Sequence, residues 1–230
     1  MQITYWSDYA CPFCYIGEGF LKQAIAKLDT KETFEFVMKA FQLDPGAPLK
    51  AEKPNIERTM AKYHMTREQA EARLAQMNAM AASAGLEFNY ATALNTNTLD
   101  AHRLTKYAQR EEPEKADKLI ETLYENYFVR NTELADHEIL KAAAAEAGLN
   151  MERVEQVLNS DEYLHKVRGE IQEAAEMGIR GVPFFIIGQY GVSGAQPAEF
   201  MQEVLETVLK EEMQKKMQTG MACGIDGCDF

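Results

Sequence analysis

Cysteine is scarce in this chain, at four residues out of 230, too few for the disulfide framework that staples a small secreted scaffold. Positive charge is in deficit as well. Lys and Arg number 24 against 36 Asp and Glu, for a net charge of −12. A surface built to hold nucleic acid or anionic lipid wants the opposite balance, so neither is expected as a partner. No apolar run approaches the roughly 18 residues of a membrane span. The opening Met-Gln-Ile-Thr-Tyr-Trp has neither the basic start nor the apolar stretch of a secretory leader, and the expected location is the cytoplasm. Internal repeats and low-complexity tracts are absent too. What remains is an ordinary globular composition, 46% hydrophobic and 26% charged, in a chain long enough for one large domain or one domain interrupted by another.

The four cysteines fall in two close pairs, Cys11/Cys14 and Cys223/Cys228. Close pairs in a reducing compartment point to redox or metal chemistry. The surroundings of the first pair separate the two. Ile3 to Ser7 is short and rich in β-branched and aromatic residues, as a strand is. After the pair, Ile16, Phe20, Ala24, Ile25 and Leu28 keep helical spacing to about Thr30. Phe34, Phe36, Met38 and Ala40 then alternate as a second strand, so the unit reads β-α-β with parallel strands. Cys11 thus stands where a strand hands over to a helix. Unpaired N–H groups and the positive end of the helix dipole stabilise a thiolate there, and a thiol of ordinary pKa near 8.5 can fall to about 3.5–7.5 in such a place. Cys14 lies one turn on, able to attack a mixed disulfide held on Cys11. Pro12 suits the first helical turn, where its missing N–H costs nothing.

Beyond a proline-containing loop from Leu43 to Asn55, nearly everything to Gly178 reads as helix. Thr66-Arg67-Glu68-Gln69 is a capping box, and the helix it opens should end at Gly85. Further helices are expected near Thr98–Arg110, Pro113–Val129, Asp136–Ala147, Met151–Leu158 and Asp161–Met177. Strand character returns at Pro183–Ile187, turns at Gly188-Gln189 into Tyr190–Ser193, and gives way to a last helix after Pro197. A proline at 183 would be odd in a central strand unless it makes a special turn, often with a cis bond.

Cys11-Pro12-Phe13-Cys14-Tyr15-Ile16-Gly17, Gly181-Val182-Pro183-Phe184-Phe185 and Val192-Ser193-Gly194-Ala195-Gln196 together resemble the DsbA-like thioredoxin-fold oxidoreductases, and more narrowly their cytosolic FrnE-like branch. The resemblance covers essentially the whole chain. It implies an α/β, thioredoxin-like fold interrupted by a large all-helical insertion. The thioredoxin-like part would be residues 1–45 and 160–218, the insertion 46–159, and 219–230 a flexible cysteine-containing tail. It implies Cys11 as attacking thiolate, Cys14 as resolving thiol and Pro183 as a cis-proline facing Cys11. Pro12, Phe13 and Val182 would line the substrate site, with Val182 offering backbone groups to an extended segment. The stretch Asn97–Leu104 also resembles that branch, which places His102 near the cleft as a substrate contact. Cys223 and Cys228 make a candidate second redox pair.

The function expected is thiol–disulfide exchange, of the reductase or isomerase type, on protein or small-molecule disulfides, with a thiol reductant as partner. No metal and no cofactor is expected, and glutathione is admissible as the small reductant. Two other readings share these features. Kappa-class glutathione transferases and 2-hydroxychromene-2-carboxylate isomerases have the same architecture but carry serine where this chain has Cys11. A zinc-binding module could use both cysteine pairs without being an enzyme.

Overall fold

The computed structural model describes residues 1–222, with side chains to 217. Cys223 and Cys228, and with them the proposed second redox pair, lie outside the described residues.

A four-stranded sheet, in the order β2-β1-β3-β4, lies at the centre. β1 (Gln2–Ser7) and β2 (Glu35–Ala40) run parallel, with Ile3 opposite Phe36 and Tyr5 opposite Met38. They are joined by α1 (Pro12–Ala26). β3 (Phe184–Ile187) runs antiparallel to β1 and turns through Gly188 and Gln189 into β4 (Tyr190–Ser193). Gly188 has φ +59°, and a Cβ there would meet Val208 Cγ1 at 2.7 Å. The turn therefore needs glycine for its backbone and for space.

Alternation along the strands sorts the two faces. Ile3, Tyr5, Met38, Phe185 and Ile187 point to one side, where α1 packs with α9 (Ala198–Ala222). Trp6, Phe184 and Ile186 point to the other, against Ala174 of α8 (Leu164–Glu176). The buried Trp6 ring donates its Nε1–H to the Glu170 carbonyl at 3.0 Å.

Between β2 and α8 come α2 (Asn55–Tyr63), α3 (Arg67–Ser83), α4 (Leu99–Glu111), α5 (Pro113–Phe128), α6 (His137–Glu146) and α7 (Met151–Leu158). One apolar cluster runs from Tyr5 and Phe185 of the sheet into Leu104, Tyr107, Leu119 and Leu123 of the insertion. The helices are thus packed onto the sheet domain through a shared core. Tyr15 on α1 sits on Phe128 of α5, ring centroids 5.2 Å apart and planes nearly parallel.

The Thr66 capping box is present in full, and Gly85, Gly148 and Gly178 all have positive φ. Several boundaries differ from those expected. α1 stops at Ala26 rather than Thr30, because Lys27 and Leu28 tighten to i−3 bonds on Ala24 and Ile25. α8 begins at Leu164 rather than Asp161, since Tyr163 takes a left-handed conformation at φ +63°. α9 continues through Ala222, so the proposed tail at 219–230 starts inside a helix.

Tyr5, Tyr9, Tyr124 and Tyr127 are all buried, and burial raises every one of their phenol pKa values above the ordinary 10.0. The unfolded chain releases these protons near pH 10 while the folded chain retains them. Their contribution to stability is full below about pH 10 and is lost as pH climbs from there toward the raised folded values. Thermal melts should be insensitive to these groups up to pH 9 and fall steeply above 10. A flat midpoint from pH 9 to 11 would contradict the burial of these hydroxyls.

Candidate active site

Strand β1 ends at Ser7, and the chain then needs a tight passage into α1. Asp8 makes it. Its carbonyl accepts from Cys11 N at 3.0 Å, and its buried carboxylate accepts from Ala10 N at 3.3 Å and Leu43 N at 2.8 Å. Cys11 is left at the N-cap of α1 with extended backbone. Pro12 is buried just behind it, and Phe13 is 40% exposed. Cys14, inside the first turn, is 1% exposed. Both sulfurs are free thiols.

The Val182–Pro183 peptide is cis. Cys11 Sγ donates to the Val182 carbonyl at 3.5 Å, so the loop before β3 faces the first cysteine. Gly17 allows that approach, since a Cβ there would come within 3.0 Å of Pro183 Cγ and 3.3 Å of Ala195 Cα. The Pro183 carbonyl accepts from Gly194 N at 2.8 Å, tying both resemblance-bearing loops together.

The two thiols differ in their surroundings. Cys11 is itself only 3% exposed, but it lines a groove, and Cys14 does not. Burial is the main cause pushing the Cys14 thiol up, reinforced by its hydrogen bond to Cys11 and by the charge of a Cys11 thiolate. Acting the other way, the Ser7 hydroxyl and the Asp8 backbone N–H are placed to donate to a Cys14 thiolate. Ser7 Oγ is itself 2.5 Å from the Tyr124 hydroxyl.

His102, expected as a substrate contact, does not line the groove beside Cys11. It is fully buried, its ring tilted against Tyr9 with centroids 5.1 Å apart, and its Nε2 lies 3.5 Å from Asp8 Oδ1. It supports the chain leading into Cys11 from beneath, because α4 packs under that segment rather than beside the groove. The stretch that begins at Asn97 is likewise a strut: the Asn97 amide donates to the Pro45 carbonyl at 2.9 Å and accepts from Gln42 at 3.2 Å.

The groove beside Cys11 has a volume of about 700 Å³ and is closed on its far side by α2 and α3. Tyr90 and Asn95 reach it from the loop before α4. Burial, and next the charge of Cys11, raise the Tyr90 phenol, which therefore stays protonated. None of Ser7, Asp8, Tyr90, Asn95 and Tyr124 was marked by sequence pattern. Only Asp8 had a local signal, a carboxylate just after a buried strand.

The residues 2–206 match the model of the DSBA-like thioredoxin domain, and the chain belongs to that family. It is similar to a probable DsbA oxidoreductase from Streptomyces coelicolor, SCO1869, whose crystal structure shares 36% identity and a TM-score of 0.84 over 92% of this chain and 91% of that one. An uncharacterized protein of Bacillus subtilis (strain 168), YwbO, is 25% identical over 222 residues, 94% of this chain and 99% of the relative. The cytosolic disulfide reductase DsbM from Pseudomonas aeruginosa, solved with GSH, shares the fold at TM-score 0.59 and 14% identity, over 94% of this chain and all of that one. Among the described residues no group of three or more His, Cys, Asp or Glu side chains could hold a metal ion, and no helix is long and apolar enough to cross a membrane.

Proposed function

We propose that this chain is a thiol–disulfide oxidoreductase, with Cys11 as nucleophile and Cys14 as resolving thiol. The asymmetry of the pair supports this most directly: Cys11 opens onto the groove at a helix start, while Cys14 is sealed behind it with its thiol held protonated. A Cys11 thiolate attacks one sulfur of a substrate disulfide. A Cys11–substrate disulfide forms, and the other substrate sulfur leaves as a thiolate that takes up a proton. Cys14 then loses its proton and attacks the Cys11 sulfur, releasing the second substrate thiol. The substrate gains two electrons and the enzyme becomes the Cys11–Cys14 disulfide. Two equivalents of an external thiol restore the dithiol, and a glutathione-class thiol suits this step. In a reducing compartment the net flow is reduction or isomerisation. Val182, partly exposed beside Cys11, would line up an extended substrate segment.

Titration in glutathione buffers tests the reading. Cys11 and Cys14 should oxidise together as one two-electron couple, changing tenfold in ratio for about 30 mV. Independent glutathionylation of the two cysteines, with no intramolecular disulfide, would refute it.

A further inference from the structure

The groove beside Cys11 carries a charge pattern opposite to that of the molecule. The chain as a whole is strongly acidic. Yet α2 and α3 bring Arg58, Lys62 and Arg73 to the groove, with Asp44 as the one carboxylate lining it among the described residues. Asp44 lies 3.8 Å from Arg58 and so partly neutralises it. Lys62 and Arg73 have no carboxylate partner among the described residues. They flank the ring of Tyr63 instead, at 5.6 Å and 4.6 Å from its centroid. Both are exposed, and so is much of Tyr63.

A second observation comes from the floor. Asn55 and Asn95 line the same groove, are only 5% and 7% exposed, and each has a side-chain Nδ2 donor without a hydrogen-bond acceptor in the protein. Asn55 lies near enough to the Tyr90 hydroxyl to favour its ionised form, without a hydrogen bond to the neutral phenol. Asn95 has its Oδ1 fixed by the Tyr127 hydroxyl at 3.4 Å, which leaves Nδ2 as the unused end. A buried donor without an acceptor is costly, and native structures rarely leave one so. Two of them beside a nucleophilic cysteine, under a cationic rim, call for an acceptor that arrives with the ligand.

We propose that this groove is a subsite for a carboxylate borne by the disulfide substrate, with Lys62 and Arg73 attracting it at the rim and Asn95 donating to it, or to a neighbouring carbonyl, at the floor. The proposal rests on the exchange reading above and names its substrate class: disulfides carrying a negative charge near the sulfur that Cys11 attacks. Phe13, Leu43 and Leu74 supply apolar walls around the charged group. Because the rim cations are in solvent, their pull is screened by salt, and the preference should fade as ionic strength rises.

Three small disulfides of similar size test it: 3,3′-dithiodipropionate (anionic), bis(2-hydroxyethyl) disulfide (neutral) and cystamine (cationic). At low salt kcat/KM should fall in that order. In a Lys62→Gln/Arg73→Gln variant the ratio of anionic to neutral kcat/KM should drop roughly tenfold, the scale of two solvent-exposed ion pairs. An acidic cystine peptide run alongside separates sources. The same drop with peptide and small compound points to small acidic thiols, and a drop confined to the peptide points to acidic protein segments. A ratio unchanged for both the small compound and the peptide overturns the proposal. Binding read without exchange keeps the two readings apart. Suberate, in which two methylenes replace the sulfurs of dithiodipropionate, should bind wild type more tightly than the double variant or an Asn95→Leu variant, as followed by calorimetry. Equal binding by all three sinks the subsite even if disulfides are reduced. If bis(2-hydroxyethyl) disulfide is not reduced while suberate binds as expected, the exchange reading fails and the anion site stands.

Discussion

Cys11→Ser should lose essentially all disulfide reduction, while Cys14→Ser should react once and then stall as a stable mixed disulfide with its substrate. The environments of the two thiols lead to this difference. Of the cysteines among the described residues only Cys11 lines the groove, so its loss removes the thiol placed to meet substrate. Cys14 has a raised thiol pKa, and two of the causes depend on Cys11 itself: the hydrogen bond between the pair and the charge of a Cys11 thiolate. Both vanish once Cys11 is tied up in a mixed disulfide. What then still opposes ionisation of Cys14 is burial, and the Ser7 hydroxyl and Asp8 N–H act against it. The proposed resolution step should therefore be switched on by substrate capture.

Ser7→Ala should accordingly lengthen the life of the mixed disulfide by roughly tenfold, the worth of one hydrogen bond to a charged group, with little effect on the first alkylation of Cys11. The Tyr124 hydroxyl, 2.5 Å from Ser7 Oγ, orients that donor, so Tyr124→Phe should show a weaker form of the same defect. Mass spectrometry of quenched single-turnover reactions reads both species. A Cys14→Ser variant that turns over normally, or a Ser7→Ala variant that slows capture and not resolution, would contradict the assignment.

Much of this site was legible because its key parts are local in sequence. Cys11, Pro12 and Cys14 report their own position at a strand-to-helix junction, and Pro183 announces a special turn before a strand. Helix boundaries were legible where chemistry marks them, as at Thr66 and Gly85, and were missed where backbone geometry alone decides, as at Tyr163. α2 falls in the stretch read as helical after Asn55 but was not singled out as an element, since only Ile56 and Met60 of its short length pack against apolar neighbours. The groove was not legible at all. Lys62, Arg73, Tyr90 and Asn95 are commonplace residues in separate segments, and only folding of the insertion onto α1 gathers them beside Cys11. His102 shows the converse: its neighbours in sequence suggested the cleft, but the helix that carries it buries it beneath.

How the insertion is fastened to the sheet domain can be tested at one buried pair. Lys106 of α4 lies 2.9 Å from Glu170 of α8, and both side chains are 4% exposed. The ammonium also donates to the Met38 carbonyl of β2 and to Gln109 Oε1 at 2.8 Å. The Glu170 carboxylate accepts from Ala40 N at 2.8 Å. Burial lowers the Lys106 pKa in spite of the attraction of Glu170, so desolvation outweighs the pairing. Removing Glu170 alone leaves a buried cation without its anion and the Ala40 N–H without an acceptor. Glu170→Leu should therefore cost about 3–5 kcal/mol, a drop of roughly 10 °C in melting temperature for a chain of this size. Adding Lys106→Met removes the stranded charge and should restore a substantial part of the loss, since apolar replacement of a whole buried pair is often close to neutral.

The pH dependence has a definite sign. A lysine whose folded pKa lies below its ordinary 10.5 binds fewer protons folded than unfolded between those two values, so its contribution to stability rises with pH in that window. Loss of Glu170 depresses the folded value further and widens the window downward. The gap in stability between wild type and Glu170→Leu should consequently narrow as pH rises from 8 to 10, while the double variant, with no lysine at 106, should lose this pH dependence of its own stability altogether. Equal losses in the single and double variants, or a gap that widens with pH, would show that the pair is not what joins α4, α8 and β2.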